Sequence, residues 1–329
     1  MKILVTGGNG FLGSRIVDRL TKANHEVTVF ARSANPQSAI RNPQFVSGDL
    51  ADASQVNAAI VGHDAVFHVA AKAGVWGRRR DYFETNVTGT RNVVAACGVL
   101  GVKTLIYTST PSVVFGAASL ENVNEDAPYA TRFLTHYAET KCIAEKEVLA
   151  ANGIGSLRTV ALRPHLIWGP GDPHLVPRVL ARARAGRLKR VGDGTNKVDI
   201  THVEDAADAH VLALEKIDVA AGKAYFISSE TINLWQWIGE LLKRAGLPAL
   251  TRQVSRAAAY RAGALLEFLY GLFGVSKEPP MTRFVAENLA TSHWFDITRA
   301  REDFGYEPRR FGVAALDEYL KTEAQHAAH

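Results

Sequence analysis

A short apolar run, Ile3-Leu4-Val5, leads straight into Thr6-Gly7-Gly8-Asn9-Gly10-Phe11-Leu12-Gly13, and a helical pattern follows over residues 10–22. A strand that feeds a helix through a glycine-rich turn constrains the fold more than any other feature of this chain. Gly8, Gly10 and Gly13 fit a G-x-G-x-x-G pattern, while Gly7, Gly10 and Gly13 fit a G-x-x-G-x-x-G spacing. Glycine is needed where the chain turns tightly, where backbone amides approach a pyrophosphate, and where helix and strand pack closely. The helix N-terminus adds unpaired N–H groups and a partial positive charge for the anion. The pattern predicts a dinucleotide site at the head of a βαβ series.

Short apolar runs and helical periodicities alternate through the first half of the chain. Strands are predicted over 2–6, 26–31, 44–47, 65–69, 103–109 and 159–162, and helices over 10–22, 53–61, 81–100 and 131–151. Several of these strands are apolar on consecutive residues, as a sheet covered on both faces requires. The predicted fold class is α/β: a doubly wound, parallel, Rossmann-type sheet with ligands at the carboxyl ends of its strands. Pro164, Gly169-Pro170-Gly171 and Pro173 then break the pattern. A basic helix is expected over 176–185, a strand over 224–227 and a strongly apolar helix over 257–273. This layout predicts a dinucleotide-binding domain over 1–165, completed by roughly 190–230, and a smaller, mostly helical substrate lobe from 166–189 and 231–329.

The 329 residues carry 38 Lys and Arg against 33 Asp and Glu, a formal charge of +5. That mild excess suits an anionic small ligand rather than nucleic acid. The run Arg78-Arg79-Arg80 is followed at once by Asp81 and Glu84 and reads first as a solvated loop. Cys97 and Cys142 are the two cysteines, and no Cys/His spacing resembles a metal site. The apolar start is too short for a signal core, and no run of 18 apolar residues marks a membrane span. The expectation is a soluble cytoplasmic protein. The segment 257–273 reads first as a buried helix, with the wall of an apolar substrate pocket or a peripheral membrane contact as the other readings.

Tyr137 and Lys141 stand four residues apart in a helical stretch, so phenol and ammonium share one helix face. Of the nine tyrosines, Tyr137 alone has lysine at that spacing. A phenol that trades a proton with an alcohol or ketone near neutral pH must leave its ordinary pKa of about 10. A cation about 4 Å away, at an effective dielectric of about 20, contributes roughly 4 kcal/mol. That amounts to about three pKa units before desolvation is counted. The hydroxyl run Thr108-Ser109-Thr110 lies upstream and offers a third group to orient the substrate oxygen. At the end of the second strand, where NAD-binding chains usually carry a carboxylate, stand Ala31-Arg32-Ser33. Arg32 could pair with a 2′-phosphate, which favours NADP(H) over NAD(H).

With these residues in hand, the chain resembles the extended short-chain dehydrogenase/reductase superfamily. The marks are the glycine loop, Gly48-Asp49-Leu50, His68-Val69-Ala70-Ala71, Asn86-Val87-Thr88-Gly89-Thr90, Tyr107-Thr108-Ser109-Thr110, the Tyr137/Lys141 pair and the run from Arg163 to Asp172. Phe295-Asp296-Ile297 and Phe304-Gly305-Tyr306-Glu307-Pro308 continue the likeness. Within the superfamily it looks most like the 3β-hydroxysteroid dehydrogenase branch. Ala71–Gly77, Val191–Asn196 and Glu278–Phe284 are similar to bacterial 2-alkyl-3-oxoalkanoate reductases and to sterol-4-carboxylate 3-dehydrogenases.

The resemblance implies a nicotinamide-dependent oxidoreductase, commonly a dimer, acting on a ketone or secondary alcohol of a bulky hydrophobic acid or sterol. It implies that Gly7, Gly10, Phe11, Leu12 and Gly13 cradle the pyrophosphate. Arg32 would face the adenosine ribose, and Asp49 and Leu50 would border the adenine. Ala70, Ala71, Lys72, Asn86 and Thr108 would line the cofactor channel, with Pro164 and Leu166 near the carboxamide. Tyr137 becomes the acid/base, and Lys141 also holds the nicotinamide ribose. The hydroxyl helper, usually serine at the third place of the run, is here Thr110, with Ser109 beside it. Candidate contacts for a substrate carboxylate are His165, His136, Arg178 and Arg78–Arg80, with Trp76 as a further substrate contact. Two other functions share this pattern: a nucleotide-sugar epimerase or dehydratase, and a non-catalytic NADP-binding regulator that would ordinarily lack the Tyr/Lys pair.

Overall fold

Ile3, Leu4 and Val5 are all buried, because the strand that carries them has a helix layer on each side. The computed structural model describes residues 1–33 and 43–327. Its main sheet is formed by β1 (Lys2–Thr6), β2 (Glu26–Ala31), β3 (Gln44–Ser47), β4 (Ala65–His68), β5 (Thr104–Thr108), β6 (Arg158–Pro164) and β7 (Ala224–Ile227). The seven strands run in the order β7-β6-β5-β4-β1-β2-β3, and every neighbouring pair is parallel. The order reverses at β1, so the carboxyl ends of β1 and β4 open a crevice between their outgoing loops. The glycine loop leaves β1 at that point. The predicted doubly wound sheet is therefore the observed one.

Two core layers hold the sheet. On one face Ile16, Val17 and Leu20 of the helix Phe11–Lys22 pack with Ala206, Ala209 and Ala213 of the helix Val203–Glu215. On the other, Val56, Val93, Cys97, Ala144 and Val148 cover Leu4, Val66 and Leu105. A smaller sheet is built around Lys197–His202, which pairs antiparallel with Glu230–Asn233 and parallel with His293–Phe295 and Ile167–Trp168. Its core gathers Trp168, Trp235, Trp237, Leu241 and Tyr319.

Three expected helices are corrected at their boundaries or in their form. The stretch 131–151 becomes helical only at His136, because Thr135 is the N-cap and its hydroxyl accepts from the Ala138 amide. The stretch 81–100 is interrupted: α-helix over Arg79–Phe83, a π-helical turn over Glu84–Thr88, then α-helix again over Gly89–Val99. The apolar segment forms the helix Arg256–Leu272, capped by Ser255, yet only Ala259 and Gly263 of it are buried. Its first reading as a core helix is overturned. Leu265, Phe268, Leu269 and Leu272 face outward.

One ion pair is enclosed by the fold. Arg163 of β6 makes a two-pronged contact with Glu145, Nε at 3.0 Å and Nη2 at 2.6 Å, with side chains 3% and 0% exposed. The guanidinium also lies over the rings of Tyr129 and Phe226. Removing one member of such a pair strands the other charge away from water. Glu145→Gln should lower stability by about 3–5 kcal/mol in urea denaturation. A loss under about 1 kcal/mol would show that the pair is not enclosed as described.

Candidate active site

The glycine loop is shaped by close backbone approach. Gly7 has φ +68°, and its amide donates to the Phe30 carbonyl at 2.9 Å while its carbonyl accepts from Gly10 at 2.9 Å. A Cβ on Gly7 would sit 2.9 Å from Cα of Ala70, and one on Gly13 would strike the Gly7 carbonyl. The loop thus admits glycine alone at both places. Gly10 caps the helix Phe11–Lys22 without any side-chain acceptor. The first-turn amides are left to face the crevice, which suits a phosphate. The donor set and the cradle fit a dinucleotide pyrophosphate.

From this loop a cleft of about 600 Å³ runs along the carboxyl edge of the sheet. Its walls include Gly7, Gly10, Phe11, Leu12, Gly13, Arg32, Asp49, Leu50, Ala70, Ala71, Thr108, Pro164 and Leu166, together with Ser109, Thr110, Tyr137 and Lys141. All predicted cofactor residues except Lys72 and Asn86 lie on it. Those two lie off it. The Lys72 side chain turns to a second cavity and stands 3.8 Å from Asp81. Asn86 is buried behind the wall as a clamp, and the π-helical turn presents it there. Its Oδ1 accepts from the Lys72 amide at 2.7 Å, and its Nδ2 donates to the Lys72 carbonyl and to Thr140, each at 3.0 Å. The clamp ties the loop after β4 to the helix His136–Ala150.

Lys141 is 2% exposed, and its Nζ donates to the Thr108 carbonyl at 2.6 Å while lying 4.0 Å from the Tyr107 ring centroid. Burial brings its pKa down to about 7, opposed by Glu145. Burial likewise pushes Tyr137 up to about 12, against the pull of the Thr110 hydroxyl. The expected lowering of the phenol by Lys141 is therefore not present in the protein alone. Desolvation is the largest influence on each group, set against the Thr110 hydroxyl at Tyr137 and Glu145 at Lys141. A phenol held this way is a proton donor at neutral pH. A positive charge arriving in the cleft would lower the phenol's pKa again and ease release of its proton.

The hydroxyls after β5 have different surroundings. Thr110 caps the short turn Pro111–Val113, accepting from the Ser112 amide at 3.2 Å, and is the polar group that acts on Tyr137. Ser109 Oγ is buried without a partner. Two neutral histidines brace the strand ends behind the cleft. His210 donates from Nδ1 to Ala206 and so accepts from the Thr108 hydroxyl at Nε2, 2.8 Å away. His68 donates from Nε2 to Thr90, whose own proton goes to the Asn86 carbonyl, and accepts from Thr6 at Nδ1. Burial holds His210 down at about 4 and His68 at about 3. Sequence reasoning passed over both histidines, since no spacing marks them. It also passed over Asp172, which lines the cleft and accepts from the amides of His174, Leu175 and Val176. The carboxylate ahead of a helix start was the available signal.

The predicted substrate contacts scatter. His165 is corrected: it points into the core and donates from Nε2 to Nδ1 of His293 at 2.6 Å, which itself donates to the Asn288 carbonyl. Burial, then His293, keeps it neutral, so it offers no cation to a carboxylate. Arg178 is corrected too, because its guanidinium is paired with Glu278 outside both cavities. His136 and Trp76 line the second cavity, of about 1100 Å³, with Arg78, Phe133, Tyr270 and Val275. Arg79 and Arg80 pair with Glu139 and Glu84, leaving Arg78 as the member of the run that faces this space.

Comparison with known proteins follows the same lines. The model of the 3-beta hydroxysteroid dehydrogenase/isomerase family matches residues 4–254. A 2-alkyl-3-oxoalkanoate reductase of Stenotrophomonas maltophilia is 50% identical over 315 residues, covering 94% of this chain and 95% of that protein. The mouse sterol-4-alpha-carboxylate 3-dehydrogenase, decarboxylating, is 33% identical over 338 residues, covering 100% and 91%. Among solved structures, that of gox2253 superposes with a TM-score of 0.81 at 27% identity, covering 98% of both chains. A UDP-glucose 4-epimerase from Thermotoga maritima reaches 0.80 at 23% identity, covering 99% and 100%, a likeness of fold alone.

Two outcomes test this geometry. Thr110→Val should lower the rate of ketone reduction by about 10²-fold or more, with Ser109→Ala costing less than about tenfold. The reverse order, measured as kcat, would move the hydroxyl role to Ser109. Between about pH 7 and the ordinary lysine value of 10.5, the unfolded chain holds a proton at residue 141 that the folded chain does not. Stability from this group therefore rises with pH across that window and is lost as pH falls through about 7. Urea denaturation at the two ends should show wild type gaining on Lys141→Met toward the alkaline end. A constant difference would contradict the buried, depressed ammonium.

Proposed function

The chain belongs to the 3-beta hydroxysteroid dehydrogenase/isomerase family, and from that premise we propose that it reduces 2-alkyl-3-oxoalkanoates, using NADP(H). It is a nicotinamide-dependent oxidoreductase that interconverts a ketone and a secondary alcohol on a bulky lipidic substrate. The observation that carries the finer reading is the likeness, at half of all positions across nearly the whole chain, to reductases of that name. A 3β-hydroxysterol acid is the second reading, favoured by the sterol-4-alpha-carboxylate dehydrogenases at 33% identity. The epimerase alternative has only distant structural likeness behind it.

A nicotinamide bound in the cleft supplies the hydride to the ketone carbon. The residues of the chain do the rest. Tyr137 gives its phenolic proton to the ketone oxygen as the C–H bond forms, so the alcohol leaves neutral. The high pKa of the phenol keeps that proton in place until a substrate oxygen accepts it. The tyrosinate that remains favours the ammonium form of Lys141, and solvent restores the phenol. Thr110 holds the substrate oxygen beside Tyr137. Gly7, Gly10 and Gly13 would seat the pyrophosphate, and Lys141, which also lines the cleft, would hold the nicotinamide ribose. The second cavity takes the hydrocarbon body, against Val75, Trp76, Phe133 and Leu134. We read 166–189 and 231–329 as the lobe that supplies part of this wall.

Arg32 supports the choice of NADP(H). It lies just after β2 on the cleft wall, in a strand end, Ala31-Arg32-Ser33, that carries no carboxylate to accept from a ribose 2′-hydroxyl. Oxidation of a long-chain 2-alkyl-3-hydroxy acid, followed at the nicotinamide absorbance, should proceed with NADP⁺ in preference to NAD⁺. Arg32→Asp should reverse that preference by about tenfold or more, the scale of one charge-assisted contact made or lost. Equal use of both cofactors by wild type would remove Arg32 from the account. Turnover on a 3β-hydroxysteroid alone would transfer the substrate reading to the sterol acids.

A further inference from the structure

The helix Arg256–Leu272 presents two opposite faces. Glu267, Tyr270 and Gly271, continued by Gly274 just beyond its end, follow an i, i+3, i+4, i+7 spacing and line the second cavity. Leu265, Phe268, Leu269 and Leu272 follow the same spacing two residues out of phase, which turns them away from the cavity. They are not covered. Phe268 and Leu272 are each 65% exposed, Leu265 59%, and Phe273 beside them 74%. Scattered apolar residues on a surface need no cause, but a contiguous helical face of large ones does.

A segment rich in cations meets the chain on either side of this helix. From Pro173 to Gly192 the chain carries Arg178, Arg182, Arg184, Arg187, Lys189 and Arg190 without one acidic residue. That segment flanks the apolar helix at both of its ends. Arg190–Val191 pairs with Gln253–Val254 just before the helix. Arg178 pairs with Glu278, and Arg182 donates to the Pro280 carbonyl at 2.8 Å, just after it. The helix itself adds Arg261, four residues before Leu265 on the same face, while Arg256 is paired with Glu287. Among the described residues, Arg184, Arg187, Lys189 and Arg261 have no carboxylate within ion-pair distance. No helix of the described residues is long and apolar enough to cross a membrane.

We propose that the outer face of the helix Arg256–Leu272, with the flanking arginines, is a docking surface for an anionic lipid bilayer. Phe268, Leu272 and Phe273 enter the acyl boundary while the cations meet acidic headgroups, the combination that holds an amphipathic helix in the interface plane. The bilayer is preferred to a protein partner because Arg184, Arg187, Lys189 and Arg261 stand without carboxylate partners near an exposed apolar face, the pairing of charges and apolar side chains that an acidic headgroup surface takes up. The inner face of the same helix forms a wall of the second cavity, so the docked protein keeps that chamber within one helix diameter of the lipid. The docking itself does not depend on which substrate the chamber takes.

The full chain should sediment with vesicles of phosphatidylglycerol and phosphatidylcholine, and much less with phosphatidylcholine alone. High salt should release it. Phe268→Ser with Leu272→Ser should weaken binding at least about tenfold, and Arg187→Glu with Lys189→Glu should do the same on the acidic vesicles alone. Circular dichroism and turnover in vesicle-free buffer report folding of each variant separately. No sedimentation with acidic vesicles overturns the proposal. So does binding that is equal on neutral vesicles and indifferent to salt. A wild-type dimer that becomes monomeric in Phe268→Ser with Leu272→Ser, with vesicle binding absent throughout, assigns the face to a second copy instead.

Discussion

The bond from Lys141 Nζ to the Thr108 carbonyl, 2.6 Å long and closed off from water, is the contact around which the rest is arranged. It joins the carboxyl end of β5 to the helix that carries Tyr137. Burial weakens the ammonium and strengthens the phenol's hold on its proton, so both groups are poised by the same desolvation. The surroundings keep the bond in register. His210 fixes the Thr108 hydroxyl, Glu145 stands one turn further along the same helix, and Asn86 ties that helix to the loop after β4. A shift of any of these would move Tyr137 relative to the strand ends that line the cleft.

This arrangement explains why the phenol and the glycine loop act as one site although 124 positions separate Gly13 from Tyr137. Parallel strands place all their carboxyl ends on one edge. The loop after β1, the hydroxyls after β5 and the turn after β6 therefore open into the same cleft. The buried histidines are part of this edge rather than reagents. His68 and His210 each satisfy a threonine at a strand end, and burial keeps them uncharged at neutral pH.

What could be read from the sequence followed periodicity and spacing. The glycine loop, the strands of the main sheet and the Tyr137/Lys141 pair all announce themselves within a few residues. Long-range geometry did not. Nothing local to Asn86 says that its amide turns back to Lys72, because that depends on a π-helical turn and on a loop 14 residues upstream. His165 sits next to Pro164 at a strand's end and looked like a ligand, yet its ring N–H is donated to His293, far along the chain. Arg178 and Glu278 meet across 100 residues. The apolar helix misled for a different reason: hydrophobic content does not say which side is covered.

The central claim is that Tyr137 is the proton donor and that cofactor binding stands apart from that role. The direct measurement is Tyr137→Phe, with NADPH affinity from fluorescence titration and single-turnover reduction of a 2-alkyl-3-oxo acid on the same preparation. Affinity should stay within about threefold, since the phenol is one contact among many, while the rate of reduction falls by about 10²–10⁴. Unchanged reduction in Tyr137→Phe would contradict the account, and would leave Lys141 on its carbonyl without the partner assigned to it.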